Sequence, residues 1–202
     1  MKDRESGVVR ETAPGYAKES DLLTYDDYLR APEGLRYELL EGELRMGPSP
    51  NAQHQTVLKR LGVMLVDQLE KRGLGEVFLA PFDVVLSEHN VVQPDILFIA
   101  KDRLGIVRKA SVQGAPDLVI EILSESSDSW DRVSKRRVYS KYGVREYWLV
   151  DPDAKTVEVL SRVAGSLSTA GVYRVGETAS SPAFPDLRVD LGSVFAQLDS
   201  RS

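Results

Sequence analysis

The chain contains no cysteine. That excludes disulfides, thiolate nucleophiles and cysteine-ligated metal centres. It fits a reducing compartment, and a cytoplasmic location is the expectation. No run approaches the ~20 consecutive apolar residues of a membrane span. The first 20 residues carry both charge signs and no apolar stretch, so no signal peptide is expected. Positive charge is in short supply too. Twenty-six basic against 31 acidic residues leave a net charge of -5. This argues against a protein that coats nucleic acid non-specifically, and leaves room for local basic contacts. What is present is ordinary for a soluble globular protein: 42% hydrophobic and 28% charged residues in 202. That length suits one domain with a sizeable core. Residues 1–20 have Pro14-Gly15 and no periodicity, and are expected to form a disordered or loosely held tail. Residues 21–202 are expected to form a single domain.

The punctuation of the chain predicts alternating elements. Thr24 followed three residues later by Asp27 resembles a capping box, opening a short helix that stops before Pro32 or Gly34. Tyr37, Leu39 and Leu40, then Glu41-Gly42, then Leu44 and Met46 predict a hairpin. From His54, the spacing of Val57, Leu58, Leu61, Met64, Leu65 and Leu69 predicts a helix stopped at Gly73. EVFLAPFDVVLS reads as one bent strand or two, broken at Pro81. VVQPDILFI reads as a strand with a proline near its start. Residues 101–115 read as a connector. DLVIEIL is apolar on both faces, which predicts a central strand. Ser126 or Ser127 can cap a helix from about Asp128 to Tyr142, stopped by Gly143. REYWLVDP, TVEVLSR and GVYRVGE follow as strands, and Leu191 to Leu198 as a terminal helix. The order predicts an α/β fold with a central mixed β-sheet flanked by helices, preceded by an N-terminal helix and β-hairpin.

Two carboxylates interrupt hydrocarbon: Asp95 in VVQPDILFIA and Glu121 in PDLVIEIL. Burying a lone carboxylate is costly unless it is paired or binds a metal. Strand alternation puts Asp95 on a face with Leu97 and Ile99, and Glu121 on one with Val119 and Leu123. If the two strands are neighbours, the carboxylates converge. Two hard oxygen ligands suit Mg²⁺ or Mn²⁺. Lys135, from the following helix, could orient water or stabilise a charged transition state. Plainer roles compete with each of these. An aspartate after proline can simply bond backbone amides, the expected role of Asp117 at its strand start. Glu121 could sit in a buried pair with an arginine. Lys135, four residues after Asp131, matches a surface helix pair worth a few tenths of a kcal/mol.

At these residues the chain resembles the Uma family of restriction endonucleases, which is similar to the PD-(D/E)xK nuclease superfamily. VVQPDILFIA, PDLVIEILSESS, the spacing of Asp131, Lys135 and Tyr139, and GVREYWLVDP carry the resemblance, with RYELLEGEL, His54 and FPDLRVDLGSVF in support. It implies a restriction-endonuclease-like fold and metal-dependent hydrolysis of DNA phosphodiester bonds. Asp95 and Glu121 would be the metal ligands, with Mg²⁺ or Mn²⁺ as cofactor. The superfamily lysine two residues after the motif acid is absent, since position 123 is leucine. The resemblance moves that amine to Lys135. Glu38, Glu41 or His54 could add a ligand or base, and Tyr139 could brace Lys135. From Trp130 to Arg145 six basic residues face one acid, so Arg132, Arg136, Arg137 and Lys141 are candidates for nucleic-acid backbone contacts. Cutting two strands wants two sites, so a homodimer is expected. The competing expectation is a catalytically inactive module of the same fold that binds nucleic acid or protein.

Overall fold

A computed structural model describes residues 22–32, 36–124 and 127–198. The expectations for residues 1–20, for Gly34 and for a cap at Ser126 fall outside the described residues. Thr24 caps helix α1 (Tyr25–Tyr28), and Asp27 completes the reciprocal box. Strands β1 (Tyr37–Leu40) and β2 (Glu43–Met46) form the hairpin. Glu41 and Gly42 both take positive φ, 51° and 81°, as its two-residue turn requires.

The helix expected from His54 begins two residues earlier, as α2 (Ala52–Leu65), capped by Asn51, whose side chain accepts from the His54 amide. The helix continues through a wider π-type turn over Val66–Glu70. Strand β3 (Gly75–Leu79) and β4 (Asp83–Ser87) are separate, and they join different sheets. VVQPDILFI likewise divides, into β5 (Asn90–Val92) and β6 (Ile96–Ala100). Pro94 has no amide to donate, so the ladder ends at Val92 and resumes in the other sheet after Asp95. The expected connector contains a 3₁₀ segment (Lys101–Ile106) and a short strand, β7 (Ser111–Gln113), paired in parallel with β4.

Strand β8 (Leu118–Ile122) is central, as its unbroken apolar run predicts. A π-type segment (Trp130–Lys135) leads into α3 (Arg136–Tyr142), and Gly143 ends it at φ 94°. Then come β9 (Glu146–Asp151), β10 (Thr156–Val163), β11 (Ser166–Arg174), β12 (Thr178–Ser180) and β13 (Arg188–Asp190). The last helix, α4, spans only Leu191–Val194, capped by Asp190.

The six-stranded sheet runs β11-β10-β9-β8-β6-β3 and is mixed, because β8 pairs antiparallel with β6 and parallel with β9. One face buries Ile96, Phe98, Ile120 and Ile122 against the apolar stripe of α2 and the C-terminal segment. The other buries Leu97, Ile99, Val119 and Leu123 with Val138 and Tyr139 of α3 and with the five-stranded sheet β2-β1-β5-β4-β7. Asp95 and Glu121 belong to this second face. The hairpin and the α3 side therefore meet over the same ends of β6 and β8.

Candidate functional site

The register of β6 on β8 pairs Ile96 with Ile120 and Leu97 with Val119. Continued by one residue, it sets Asp95 opposite Glu121. Directly opposed strand residues have Cβ atoms about 4.5–5.5 Å apart. Asp95 is anchored there by the strand beside it: Oδ2 accepts the Ile122 amide at 2.9 Å. The same oxygen meets His54 Nε2 at 3.0 Å, and Oδ1 lies 3.4 Å from Arg36 Nη2. Burial works to raise the Asp95 pKa, but His54, the Arg36 charge and the Ile122 amide outweigh it and hold the group below the usual aspartate value.

Glu121 is buried and held from α3. Its Oε1 accepts from Lys135 Nζ at 2.9 Å and from the Tyr139 hydroxyl at 2.8 Å. Lys135 is buried among three carboxylates, with Glu38 at 2.9 Å, Glu121 at 2.9 Å and Asp131 at 3.1 Å. Asp131 Oδ1 is buried, and the ion pair with Lys135 is its contact within the site. Glu38 also accepts the Gln93 amide, tying the hairpin to the Gln93–Asp95 segment.

Burial raises the Glu121 pKa well above the usual glutamate range. Lys135 opposes the rise, while Asp131, Asp95 and Glu38 add to it. Asp131 is raised by burial, with Lys135 opposing. Burial disfavours charge on Lys135, but the three carboxylates more than compensate and keep it a cation. Three carboxylates thus surround Lys135, and Asp95, opposite Glu121, adds a fourth to the site with Arg36 and His54 at its edge. This negative excess at two opposed hard-oxygen donors fits a divalent ion of the Mg²⁺ type, which binds through one or two carboxylates and otherwise keeps water or phosphate oxygens. Among the described residues, no three His, Asp or Glu side chains form a preassembled metal-ligating group. The fit is therefore to an ion held by Asp95 and Glu121 alone, not to a full protein cage.

A cleft of about 730 Å³ opens over these groups. Asp95, Glu121, Lys135, Glu38 and His54 all line it. Tyr139 is buried beneath, its hydroxyl donating to the same Glu121 oxygen that Lys135 holds. Glu41 stands apart in the exposed hairpin turn, paired with Arg137. None of the four basic candidates lines the cleft. Arg132 is engaged by Asp128, Asp151 and Glu158, and Arg136 donates to the Leu167 carbonyl. Lys141 lies on the outer side of α3 over the Tyr142 ring.

Two participants were not singled out from sequence, and a third, Asp131, was named only for its spacing from Lys135. Arg36 reaches Asp95, and Arg45 lies at the cleft mouth. Asp131 is not half of a surface pair but a buried partner of Lys135. The i, i+4 spacing of Asp131 and Lys135 was visible; that their shared face turns inward was not.

The fold is that of a nuclease-like α/β protein. The family profile described as "Uma2: Putative restriction endonuclease" matches residues 25–192, and the chain belongs to that family. Among solved structures, the chain is similar to "a putative nuclease belonging to DUF820" from Anabaena variabilis ATCC 29413. The TM-score is 0.73 at 23% identity, covering 87% of this chain and 99% of the other, a likeness of fold. A search of curated proteins finds no match. Among the described residues no helix is long and apolar enough to cross a membrane.

Proposed function

We propose that the protein is a metal-dependent endonuclease hydrolysing DNA phosphodiester bonds at the Asp95–Glu121–Lys135 centre. The observation that carries this is the convergence of the two opposed carboxylates and the lysine at the base of one cleft. Asp95 and Glu121 would hold Mg²⁺ or Mn²⁺, which when bound supplies Lewis acidity to the phosphate and acidifies a coordinated water. Asp95 is poised as a ligand because it is already ionised and fixed by the Ile122 amide. A bound cation favours the ionised form of Glu121 against the raised pKa that burial gives it, and Lys135 and Tyr139 orient the carboxylate. Lys135, kept protonated by its neighbours, acts as a fixed positive charge on the transition state and not as a base. His54 aligns Asp95 through its Nε2 contact. In the reaction, water oxygen bonds to phosphorus and gives up a proton to solvent as the bond to the leaving sugar oxygen breaks, and that oxygen takes up a proton from solvent. Arg132, Arg136, Arg137 and Lys141 are proposed to make flanking backbone contacts outside the cleft. A cytoplasmic homodimer, with one centre per strand, completes the proposal.

The test is plasmid nicking and linearisation in Mg²⁺ and in Mn²⁺. The wild type should cleave in either or both, and Glu121→Gln should abolish cleavage while leaving the circular dichroism spectrum unchanged. Cleavage that survives Glu121→Gln would overturn the assignment. A second reading, a binding module without catalysis, is favoured by one feature: Lys135 is committed to three carboxylates, which leaves its ammonium group fully engaged within the protein. It predicts salt-dependent nucleic-acid binding with no cleavage by the wild type in any divalent ion.

A further inference from the structure

The cations around the cleft are nearly all committed. Lys135 serves three carboxylates, and Arg36 serves Asp95 and the Gln93 carbonyl. Arg45 differs. Its guanidinium carbon lies 4.5 Å from the centroid of the Trp130 ring, and no hydrogen bond or ion pair engages it among the described residues. Both residues line the cleft. They reach it from opposite sides, Arg45 from strand β2 of the hairpin and Trp130 from the segment that carries Asp131 and Lys135. The register of β1 on β2 places Arg45 opposite Glu38, one contact away from Lys135. Trp130 packs by its other side onto the apolar core, so it is a fixed support. An arginine stacked on an aromatic face keeps its N–H edge free, and a planar guanidinium suits bidentate contact with phosphate.

We propose that Arg45, held flat by Trp130, is a substrate-positioning residue that binds a backbone phosphate of the nucleic-acid strand entering the cleft. This deepens the nuclease assignment by naming the group that grips the strand, and it rests on nucleic acid being the ligand of this cleft. It also explains why so acidic a centre accepts a polyanion: the free positive charge sits at the mouth, and the metal-binding charge deficit lies inside.

The test separates binding from cleavage by working in EDTA. A short fluorescein-labelled DNA strand, single or duplexed, is titrated by anisotropy over a range of salt. Arg45→Met keeps bulk on the Trp130 face and removes the charge. It should weaken binding about tenfold and reduce the salt slope by roughly 0.7–0.9, the value for one lost phosphate contact. Trp130→Leu should weaken binding less and leave the slope nearer wild type. Tryptophan emission gives a second readout, because the other tryptophan, Trp148, is fully buried and bonded to Glu146. DNA should change the emission of the wild type and not that of Arg45→Met. Equal affinity and slope for Arg45→Met and wild type would overturn the proposal, as would a wild type that binds neither DNA form. Arg45-dependent binding without cleavage would sink the nuclease assignment and leave this contact standing. Cleavage with an indifferent Arg45 would do the reverse.

Discussion

Asp95 and Asp117 occupy the two ends of one strand pair, and nearly the same local sequence leads into each. Both follow a proline, and both start an apolar strand. Because β6 and β8 are antiparallel, the ends are related by a local two-fold. Asp95 accepts the Ile122 amide of β8, and Asp117 accepts the Ala100 amide at the end of β6. The resemblance stops at the residue across the ladder. Glu121 stands opposite Asp95, whereas the same register puts Ile99 opposite Asp117. Around Asp117 the remaining partners are Arg103 at 2.8 Å and Arg145 at 3.5 Å, so its charge is balanced and no cleft-lining atom belongs to it. Around Asp95 and Glu121 the acids outnumber the bases, and a cleft opens. A proline-aspartate start is therefore a structural device at both ends, and only a second carboxylate across the ladder turns one end into a candidate centre.

The comparison can be broken most forcefully at Lys135. Lys135→Met leaves Glu38, Glu121 and Asp131 buried around no cation, and should cost about 3–5 kcal/mol of stability. Thermal unfolding with and without Mg²⁺ measures it, and added metal should recover more stability for this variant than for wild type. Next, Asp95→Asn and Glu121→Gln should each lower cleavage by at least about 100-fold, the upper range for disturbing even an outer-shell partner of a metal. Asp117→Asn should leave the rate per folded molecule unchanged and cost about 2 kcal/mol, since it weakens the Ala100 cap and leaves Arg103 and Arg145 without their anion. Arg132→Ala, in a partly exposed carboxylate web, should change stability by less than about 1 kcal/mol.

The pH behaviour should separate the ends as well. The Asp95 pKa is lowered, so its contribution to stability is present above the ordinary aspartate value and disappears as pH falls through the lowered one. Glu121 is raised, so its contribution is complete below the ordinary glutamate value and is lost as pH rises through the raised one. Metal affinity should climb over that same upper interval, as the Glu121 proton leaves. Melting temperatures across pH, compared with Glu121→Gln, should show the loss on the alkaline side for wild type and its absence in the variant.

Much of this was legible in the residues. The capping box at Thr24, the hairpin at Glu41-Gly42 and the central strand follow from spacing and alternation, and alternation also assigns the faces of Asp95 and Glu121, which converge because β6 and β8 are neighbours. Asp117 also took the strand-start role its position suggests. Other features depend on which sheet a strand joins, and periodicity carries no such information. VVQPDILFI looks continuous until Pro94 interrupts its ladder, and β5 and β6 then part to different sheets. Arg36 and Arg45 lie in a hairpin that folds over the cleft, far in sequence from the carboxylates, and an isolated arginine carries no mark of such a contact. The basic count between Trp130 and Arg145 was visible, but not that Arg132 and Arg137 turn to acids of other elements.

One end of the β6–β8 pair, and not the other, is proposed to bind a divalent ion. Mn²⁺ titration followed by electron paramagnetic resonance tests it directly, on wild type, Asp95→Asn, Glu121→Gln and Asp117→Asn. One site is expected in the wild type and in Asp117→Asn, and loss of that site in Asp95→Asn and Glu121→Gln. Binding that survives both of those substitutions, or that disappears with Asp117→Asn while the fold persists, would contradict it.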